Sequence, residues 1–358
     1  MNTAIEAKYM ERCIQLARQG QGHTSPNPMV GAVVVHEGRI IGEGYHRRCG
    51  EAHAEVNAIA SVREADRSLL KSSTIYVSLE PCSHYGKTPP CAELIVRTGI
   101  PRVVVGCLDP FPEVSGRGVN RLCEAGVEVI TGVLEAECYA LNKAFMTMQQ
   151  LRRPYVTLKW AQSADGFIDR LRTAAGEPPV VLSSAETLRR VHQLRTEVKA
   201  ILVGTRTALL DNPSLTVRHW EGPSPLRVLL DRSLKVPATH HLLDGSVPTL
   251  VFTEREAADR PNLCYAKLDF SRPLAAQIMA ALAARKIDSL LVEGGTQTLQ
   301  SFIAEGLWDE ARVETSPIRL GEGVPAPRLR QGQLQTAITT RDGHLLECFN
   351  HLKKYKYG

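Results

Sequence analysis

The 358-residue sequence has few aromatic residues, 5% in all, and it contains no long apolar segment and no internal repeat. Residues 1–20 mix charged and apolar side chains, so they predict neither a signal peptide nor a membrane span. We therefore expect a cytoplasmic protein that does not bind membranes. The net charge is only +5 and no long run of Lys or Arg occurs. A small anionic ligand is a better match to this charge than nucleic acid.

The nine cysteines are an odd number spread over the whole chain. Secreted disulfide frameworks are usually short chains with an even number of cysteines, so this class is excluded. We expect the cysteines either to bind a metal or to be buried. The apolar share of 43% is close to the average for globular proteins and excludes a disordered chain.

The length and the order of the predicted elements indicate two α/β domains. Helical and β-branched segments alternate in the first half, where the last helix is predicted to run without a break over residues 135–150. A charged stretch ending in Pro154 interrupts this pattern, and a second alternation of strands and helices follows. The predicted domains are residues 1–150 and residues 151–358.

Three potential metal ligands occur with the spacing of a catalytic zinc site. His53 lies two residues before Glu55, and a Pro-Cys pair ending at Cys82 comes later, followed by Cys91. One imidazole and two thiolates leave one position of a tetrahedral Zn²⁺ open for water, whose pKa the metal lowers to about 7. Glu55 is then the expected catalytic residue, which moves protons from the water to the ring nitrogen and the departing amine.

Two other interpretations of these residues remain open. His53, Cys82 and Cys91 could be unrelated buried side chains, because free cysteine is often buried. They could also bind a structural zinc, and Cys49 is then a candidate for an additional ligand. His-x-Glu with a downstream Pro-Cys is typical of zinc deaminases, and this pattern favours the catalytic interpretation.

The spacing of the two cysteines differs from the usual deaminase pattern, which is Pro-Cys-x-x-Cys. Here residues 83–90 separate Cys82 from Cys91, and we interpret them as an inserted loop. The loop contains two potential cations, His84 and Lys87. Both would suit a phosphorylated substrate.

Several segments of the first half together resemble the bifunctional deaminase/reductase family of riboflavin biosynthesis. They are residues 24–31 (TSPNPMVG), 42–46 (GEGYH), 53–56 (HAEV) and 80–91 (EPCSHYGKTPPC). The resemblance implies a cytidine-deaminase-like three-layer domain that binds Zn²⁺. Its substrate would be a diaminopyrimidinone carrying a ribosylamino 5′-phosphate, whose ring C2 amine is replaced by oxygen.

The same resemblance implies five substrate-binding residues in the first half: Asn27, His46, His84, Lys87 and Asp109. The chain departs from the family at one position. Phe111 stands where the family generally has Asn, so the contact of that Asn is not carried over.

The second half lacks the Gly-x-Gly-x-x-Gly pattern of a Rossmann fold. Residues 292–298 (VEGGTQT) instead place two glycines and hydroxyl groups between an apolar strand and a helix. Backbone N–H groups at such a helix start can bind a phosphate. An ordinary strand-to-helix turn would have the same pattern.

Residues 158–166 (LKWAQSADG) and 210–218 (LDNPSLTVR) resemble the reductase half of the same family. The resemblance implies a dihydrofolate-reductase-like domain that uses NADPH to reduce the ribosyl group to a ribityl chain. The cofactor-binding residues would be Ala161, Val181, Thr207, Asp211, Gly295, Thr296, Gln297, Thr298 and Leu299. The substrate-binding residues would be Arg195, Leu215, Arg218 and Glu293. The two arginines can bind a phosphate bidentately, and Lys159 is a candidate proton donor to the ribosyl oxygen or amine.

Other functions remain open at this point. Residues 178–181 are Pro-Pro-Val-Val where the family usually has a Ser and a Trp, so one alternative is a deaminase with a degenerate reductase domain. A second alternative is an RNA- or nucleotide-editing zinc deaminase, which predicts a basic groove with aromatic residues. A third is a non-enzymatic scaffold that binds structural zinc. The expected partner is a phosphorylated small molecule, and a homo-oligomer is left open.

Overall fold

The computed structural model describes residues 3–83, 85, 89–110, 115–173 and 176–351. The chain divides into two compact units, Met1–Arg152 and Arg153–Gly358. Both units combine helices with a sheet, which confirms the predicted α/β class. No helix in the described ranges is long and apolar enough to cross a membrane.

The first unit contains one five-stranded sheet with helices on both faces. Its elements are α1 (Thr3–Arg18), β1 (Gly31–His36), β2 (Arg39–Tyr45), α2 (Ala54–Ala60), a 3₁₀ helix (Glu64–Ser72), β3 (Thr74–Leu79), α3 (Cys91–Thr98), β4 (Arg102–Cys107), α4 (Arg117–Glu124), β5 (Glu128–Ile130), α5 (Glu135–Leu141) and α6 (Lys143–Leu151). The strand order is β2-β1-β3-β4-β5. Strand β1 is antiparallel to both neighbours, whereas β3, β4 and β5 are parallel.

Alternation along the strands produces a separate apolar core on each face of this sheet. Ala32 and Val34 pack with residues of α2, α3 and α4. Val33 and Val35, which point to the opposite face, pack with residues of α1, α5 and α6. The first unit is therefore a three-layer α/β/α domain, as the sequence predicts.

The helix predicted over residues 135–150 is interrupted at Asn142, so the prediction of one continuous helix is wrong. The Asn142 side chain pairs with the Met29 backbone. Its Oδ1 accepts from the Met29 N–H, its Nδ2 donates to the Met29 carbonyl, and both distances are 2.8 Å. Asn142 has φ −113° and ψ 23°, away from helical values. A contact with a residue far away in sequence thus overrides the local helical pattern.

The second unit is built on a nine-stranded sheet. Its elements are β6 (Tyr155–Gln162), β7 (Phe167–Asp169), α7 (Ala185–Glu197), β8 (Ala200–Gly204), α8 (Thr205–Asp211), β9 (Leu226–Leu230), β10 (Thr249–Thr253), β11 (Leu263–Lys267), α9 (Leu274–Ala284), β12 (Ser289–Val292), α10 (Thr296–Ala304), β13 (Glu310–Thr315), β14 (Val324–Pro325), β15 (Gly332–Thr339) and β16 (Leu345–His351). The order is β11-β10-β9-β8-β12-β6-β13-β16-β15, with a small β14-β7 ladder beside it.

The seven strands from β11 to β13 in this order are parallel, and the β15-β16 hairpin is antiparallel. Starting from β6, the chain first places β8, β9, β10 and β11 in succession on one side of the sheet. It then inserts β12 between β8 and β6, and finally adds β13 on the other side of β6. The direction of strand addition thus reverses around β12. Ligands of open α/β sheets bind at the carboxyl ends of the strands beside such a reversal.

Candidate active sites

The three predicted metal ligands lie together at one edge of the first unit. His53 is the N-cap residue of α2, Cys91 is the first residue of α3, and Cys82 follows β3. The His53 Nδ1 atom lies 3.6 Å from Cys82 Sγ and 3.4 Å from Cys91 Sγ. All three ligand atoms lie within 4.8 Å of one another. Cys49 is exposed and lies outside this group.

The start of α3 holds the two cysteines against each other. The Cys91 N–H donates to Cys82 Sγ at 3.3 Å, and the Ala92 N–H donates to the Cys82 carbonyl at 3.2 Å. The hydrogen bond from Cys91 Sγ, with further hydrogen bonds from His53 and the Cys91 N–H, lowers the pKa of Cys82 to about 4. The same contact and burial raise the pKa of Cys91. One imidazole nitrogen and two sulfurs at this spacing fit a Zn²⁺ ion with one further position left for water or substrate.

Glu55 lies in the first turn of α2 and is only 3% exposed. Burial raises the pKa of this carboxyl to about 7, and the charge of Cys82 adds to the shift. A group whose pKa lies near neutral pH can both accept and donate a proton, as general acid–base catalysis requires. Glu55 lines the same cavity as His53 and Cys82.

A cavity of about 300 Å³ opens beside the metal-ligand group. Three of the predicted substrate-binding residues line it: Asn27, His46 and Asp109. Residues that the sequence analysis did not single out also line it, among them Glu80, Phe145 and Gln149. The predicted residues His84 and Lys87, like Phe111, lie outside the described residues. Glu80 stands directly before Pro81 in the deaminase pattern, and this position was the one signal that could have identified it.

The contacts of His46 define which of its ring nitrogens carries the proton. Its Nδ1 lies 3.1 Å from the Ala52 carbonyl oxygen, which can only accept a hydrogen bond. Its Nε2 lies 3.3 Å from Asn27 Nδ2. Burial lowers the pKa of His46, which favours the neutral ring. The neutral ring therefore donates from Nδ1 to Ala52 and accepts at Nε2 from Asn27.

In the second unit, predicted cofactor residues meet where β8 and β12 end. Gly295, the N-cap residue of α10, has φ 63°, and a Cβ built on it would lie 3.3 Å from Thr207 Oγ1. A Cβ on Gly204, the last residue of β8, would lie 2.7 Å from Thr298 Oγ1. Ala161 lies near the carboxyl end of β6. The structure therefore brings the start of α10 and the β8–α8 turn together, and the two glycines leave room there for the hydroxyl groups of Thr207 and Thr298.

The remaining predicted cofactor residues differ in their surroundings. Thr296 Oγ1 donates to the Pro325 carbonyl at 2.7 Å, and Gln297 is exposed. Leu299 is buried in the apolar core, so its side chain does not reach the surface of the turn. Val181 is 75% exposed, which leaves its apolar side chain available for a contact.

Asp211 is bound to a buried arginine that the sequence analysis missed. Arg172 donates from Nη2 to Asp211 Oδ1, from Nε to Asp169 Oδ2 at 2.6 Å, and from Nη1 to the Glu177 carbonyl at 3.1 Å. Asp169 Oδ1 in turn accepts from the Val180 N–H at 3.0 Å. Arg172 therefore connects α8 to the segment that contains the unusual residues 178–181. No short motif marks this arginine in the sequence.

Arg195 and Glu293 form a bidentate ion pair. The Nε–Oε1 distance is 3.1 Å, the Nη2–Oε2 distance is 2.7 Å, and the side chains are 11% and 10% exposed. Since Leu158 pairs with Val292, Lys159 lies next to Glu293 on the neighbouring strand. Burial opposes ionisation of Glu293, but the charges of Arg195 and Lys159 outweigh it and lower the Glu293 pKa.

The segment containing Leu215 and Arg218 is held by two residues of α7. Arg195 Nη1 donates to the Thr216 carbonyl at 3.1 Å, and the Arg218 N–H donates to His192 Nδ1 at 3.0 Å. Leu215 is buried with φ 53°. The sequence analysis missed His192, which is 1% exposed and lies three residues before Arg195 on the same face of α7. Burial and the Arg195 charge lower the His192 pKa to about 4, so Nδ1 accepts and Nε2 carries the proton.

Models of two protein families match this chain. The RibD C-terminal domain matches residues 154–353, which is more than half of the chain. The cytidine and deoxycytidylate deaminase zinc-binding region matches residues 3–107, a range that contains the whole metal-ligand group. The two matched regions fall in different structural units.

Full-length relatives and solved structures cover both units. The chain is 41% identical over 342 residues to the riboflavin biosynthesis protein RibD of Aquifex aeolicus, with 94% of each chain covered. It is 44% identical over 338 residues to RibD of Bacillus amyloliquefaciens, covering 92% of this chain and 89% of that protein. A diaminohydroxyphosphoribosylaminopyrimidine deaminase/5-amino-6-(5-phosphoribosylamino)uracil reductase from Thermotoga maritima superposes with a TM-score of 0.89, at 37% identity, over 98% of this chain and 99% of that one. RibD of Acinetobacter baumannii superposes with a TM-score of 0.86 at 31% identity, over 98% and 99%.

Proposed function

The chain belongs to the RibD family of riboflavin-biosynthesis enzymes, and from this premise we propose the order and the substrate of its two reactions. It deaminates 2,5-diamino-6-ribosylamino-pyrimidinone 5′-phosphate and then reduces the ribosyl group to ribityl with NADPH. The observation that carries the proposal is the group of His53, Cys82 and Cys91 beside a cavity that Glu55 lines, on a chain whose relatives match over both units.

In the deaminase unit, His53, Cys82 and Cys91 would hold the zinc. When bound, Zn²⁺ supplies Lewis-acid activation of water. Glu55 would accept the two protons that the incoming oxygen loses, one after the other, and would pass one to the ring nitrogen and one to the departing amine, so that water enters and ammonia leaves. Its raised pKa supports this role, because the carboxyl group loses and regains a proton near pH 7.

Asn27, His46 and Asp109 bind the pyrimidine part of the substrate in this proposal. The hydrogen bond from Asn27 to His46 orients both side chains at the cavity before a ligand arrives. Such preorganisation lowers the cost of positioning the substrate. His84 and Lys87 remain sequence-based predictions for the substrate phosphate.

In the reductase unit, the turn from Gly295 to Leu299 binds the dinucleotide through backbone groups, with Ala161, Val181, Thr207 and Asp211 around it. NADPH supplies the hydride when bound. The N-terminus of α10 favours the negative charge of a pyrophosphate, and Gly295 lets the ligand approach the backbone closely.

Arg218, Arg195, Leu215 and Glu293 bind the phosphorylated ribosyl substrate in this proposal. The buried Arg195–Glu293 pair supports it, because it presents an ionised carboxylate beside Lys159 at the carboxyl end of the sheet. Lys159 donates the proton to the ribosyl oxygen or amine as the ring opens. Full activity in Lys159→Met would remove Lys159 from this role.

The alternative functions are not favoured. A deaminase with a degenerate reductase domain has less support, because the relatives match over both units and the Thermotoga maritima structure is named as a deaminase/reductase. Neither an RNA- or nucleotide-editing deaminase nor a zinc scaffold would explain why RibD relatives also match the second unit. Residues 178–181 nevertheless make the reductase the half whose activity most needs measurement.

The test is to incubate the purified, zinc-loaded protein with the diaminopyrimidinone phosphate, with and without NADPH. Ammonia release and NADPH oxidation are followed separately. We expect ammonia in both samples and NADPH oxidation only after deamination. Ammonia without any NADPH oxidation would contradict the reductase half of the proposal, and no ammonia would contradict the deaminase half.

Two further parts of the proposal concern the cell and the assembly. The cytoplasmic location predicted from the sequence is tested by fractionation of cells that express the protein. A homo-oligomer is tested by light scattering during size-exclusion chromatography.

A further inference from the structure

Glu80 connects the carboxyl ends of the two central parallel strands of the first unit. Leu79, the last residue of β3, pairs with Cys107, the last residue of β4. The Glu80 N–H continues this ladder by donating to the Cys107 carbonyl at 2.9 Å. Glu80 is 6% exposed and lines the cavity beside Cys82. Its side chain therefore lies between the metal-ligand loop and the residues that follow β4.

The Glu80 carboxylate accepts four backbone hydrogen bonds. Its Oε2 accepts from Asp109 at 3.1 Å and from Gly116 at 3.0 Å, and its Oε1 accepts from Gly118 at 2.8 Å and from Val119 at 3.2 Å. A carboxylate has about four acceptor positions, so these donors use its full capacity. Glu80 is thus already saturated and does not serve as a second acid–base group beside Glu55.

Three of the four donors belong to the start of α4, where backbone N–H groups have no partner within the helix. A negative charge at a helix N-terminus is favourable, and charge-assisted hydrogen bonds are the stronger ones. The fourth donor, the Asp109 N–H, comes from a residue that lines the cavity. One carboxylate therefore fixes α4 and Asp109 at the same time.

A close backbone contact holds the same elements together independently of Glu80. A Cβ built on Gly118 would lie 2.0 Å from the Pro81 carbonyl oxygen, far inside any permitted distance. Pro81 stands between Glu80 and the metal ligand Cys82. The start of α4 is therefore packed directly against the backbone that positions Cys82.

We propose that Glu80 is a positioning residue of the deaminase: it fixes Asp109 at the cavity relative to the metal ligand Cys82, and so sets how tightly the pyrimidine substrate binds. This inference rests on the proposed function. It assigns Glu80 no contact with the reacting atoms, and its effect passes through the backbone of Asp109.

The test uses Glu80→Gln in the full-length, zinc-loaded protein. The glutamine NH₂ replaces one oxygen, so two of the four N–H donors lose their acceptor. We expect the deaminase KM to rise roughly tenfold, with a smaller change in kcat, as for displacement of a binding group by less than about 1 Å. Zinc content and the reductase rate on supplied deaminated substrate should stay unchanged. The matched control is Glu124→Gln, which removes an exposed carboxylate from the other end of α4.

Amide hydrogen exchange provides a second measurement that needs no activity. In Glu80→Gln, at least one pair of amides that shares a carboxylate oxygen, Asp109 with Gly116 or Gly118 with Val119, should exchange faster, while those of β1 keep their rates. Unchanged exchange at these four amides would overturn the proposal, as would an unchanged KM with kcat and zinc content falling together. If the wild-type protein releases no ammonia, the proposed function fails, and the exchange data still decide whether Glu80 anchors Asp109.

Discussion

The two candidate sites differ in how their charges are balanced. In the second unit, the carboxylate of Glu293 is paired with Arg195, and Asp211 is paired with Arg172. In the first unit, Glu55 lies beside two thiols, and burial together with the Cys82 charge raises its pKa to about 7. The first site gains a partner for these groups when a divalent cation binds, whereas the second is balanced by its own side chains.

Because of this difference, we expect the stability of the first site, but not of the second, to depend on a bound cation. Bringing acidic groups together in a buried place costs free energy unless a cation is bound. The first site therefore stores a penalty in the metal-free protein. In the second site the buried charges of Arg195 and Glu293 are compensated by each other, and removal of Arg195 leaves the Glu293 carboxylate without its bidentate partner.

The largest expected effect is on catalysis at the first site. Glu55→Gln should retain zinc but lower the rate of ammonia release about 10²–10⁴-fold, the usual contribution of an acid–base residue. The reductase rate on supplied deaminated substrate should not change. The control is Glu64→Gln, a highly exposed carboxylate of the same unit. Deaminase activity close to wild type in Glu55→Gln would make the site structural.

At the second site, removal of one partner of the ion pair should destabilise the unit. Arg195→Met leaves Glu293 buried without its partner, which typically costs about 3–5 kcal/mol. The double variant Arg195→Met/Glu293→Leu should recover most of this stability but not the reductase activity. Denaturant unfolding measures the stability, and ammonia release reports on the first unit. Equal stability of the single and double variants would show that the pair is not coupled.

A pH series on the zinc-free protein compares the two sites through protonation. The ordinary Glu pKa is 4.5, and that of Glu55 is about 7. Below about pH 4.5 the group is protonated in both the folded and the unfolded state, so it costs nothing. Between about pH 4.5 and 7 the carboxyl is ionised in the unfolded state but not in the folded state, so the contribution of this group lowers wild-type stability over that range, by up to about 3 kcal/mol, and is constant at higher pH. Glu55→Gln should therefore stabilise the zinc-free protein at pH 8 but not at pH 4.5. Thermal unfolding at both pH values measures this difference, and equal stability of wild type and variant at pH 8 would contradict the prediction.

The smallest expected effect concerns His192. His192→Phe removes the acceptor for the Arg218 N–H, and we expect the reductase KM for the phosphorylated substrate to rise about threefold to tenfold, as the net loss of one hydrogen bond allows. The kcat should change less. His192→Asn, which can still accept a hydrogen bond, should recover part of the effect, and Arg189→Gln on the exposed side of α7 is the control. A lower kcat at constant KM would contradict this role.

The sequence contains more local information about the first candidate site than about the second. The structure brings the three predicted ligand atoms within 4.8 Å of one another. The break at Asn142 was missed. Asn142 pairs with Met29, 113 positions away, and no local pattern contains that information.

The predicted metal ligands could be recognised along the chain because zinc chemistry needs particular residue types at characteristic spacing. A helix start or a loop after a strand suffices to present each of them. The contacts of Glu80, Arg172 and His192, by contrast, depend on the tertiary structure. Each binds backbone or carboxylate groups 26 to 39 positions away, and glutamate, arginine and histidine are common on any protein surface. Only the packing of distant elements buries these side chains, and a buried charged or polar side chain needs hydrogen-bond partners, which here belong to other elements of the fold.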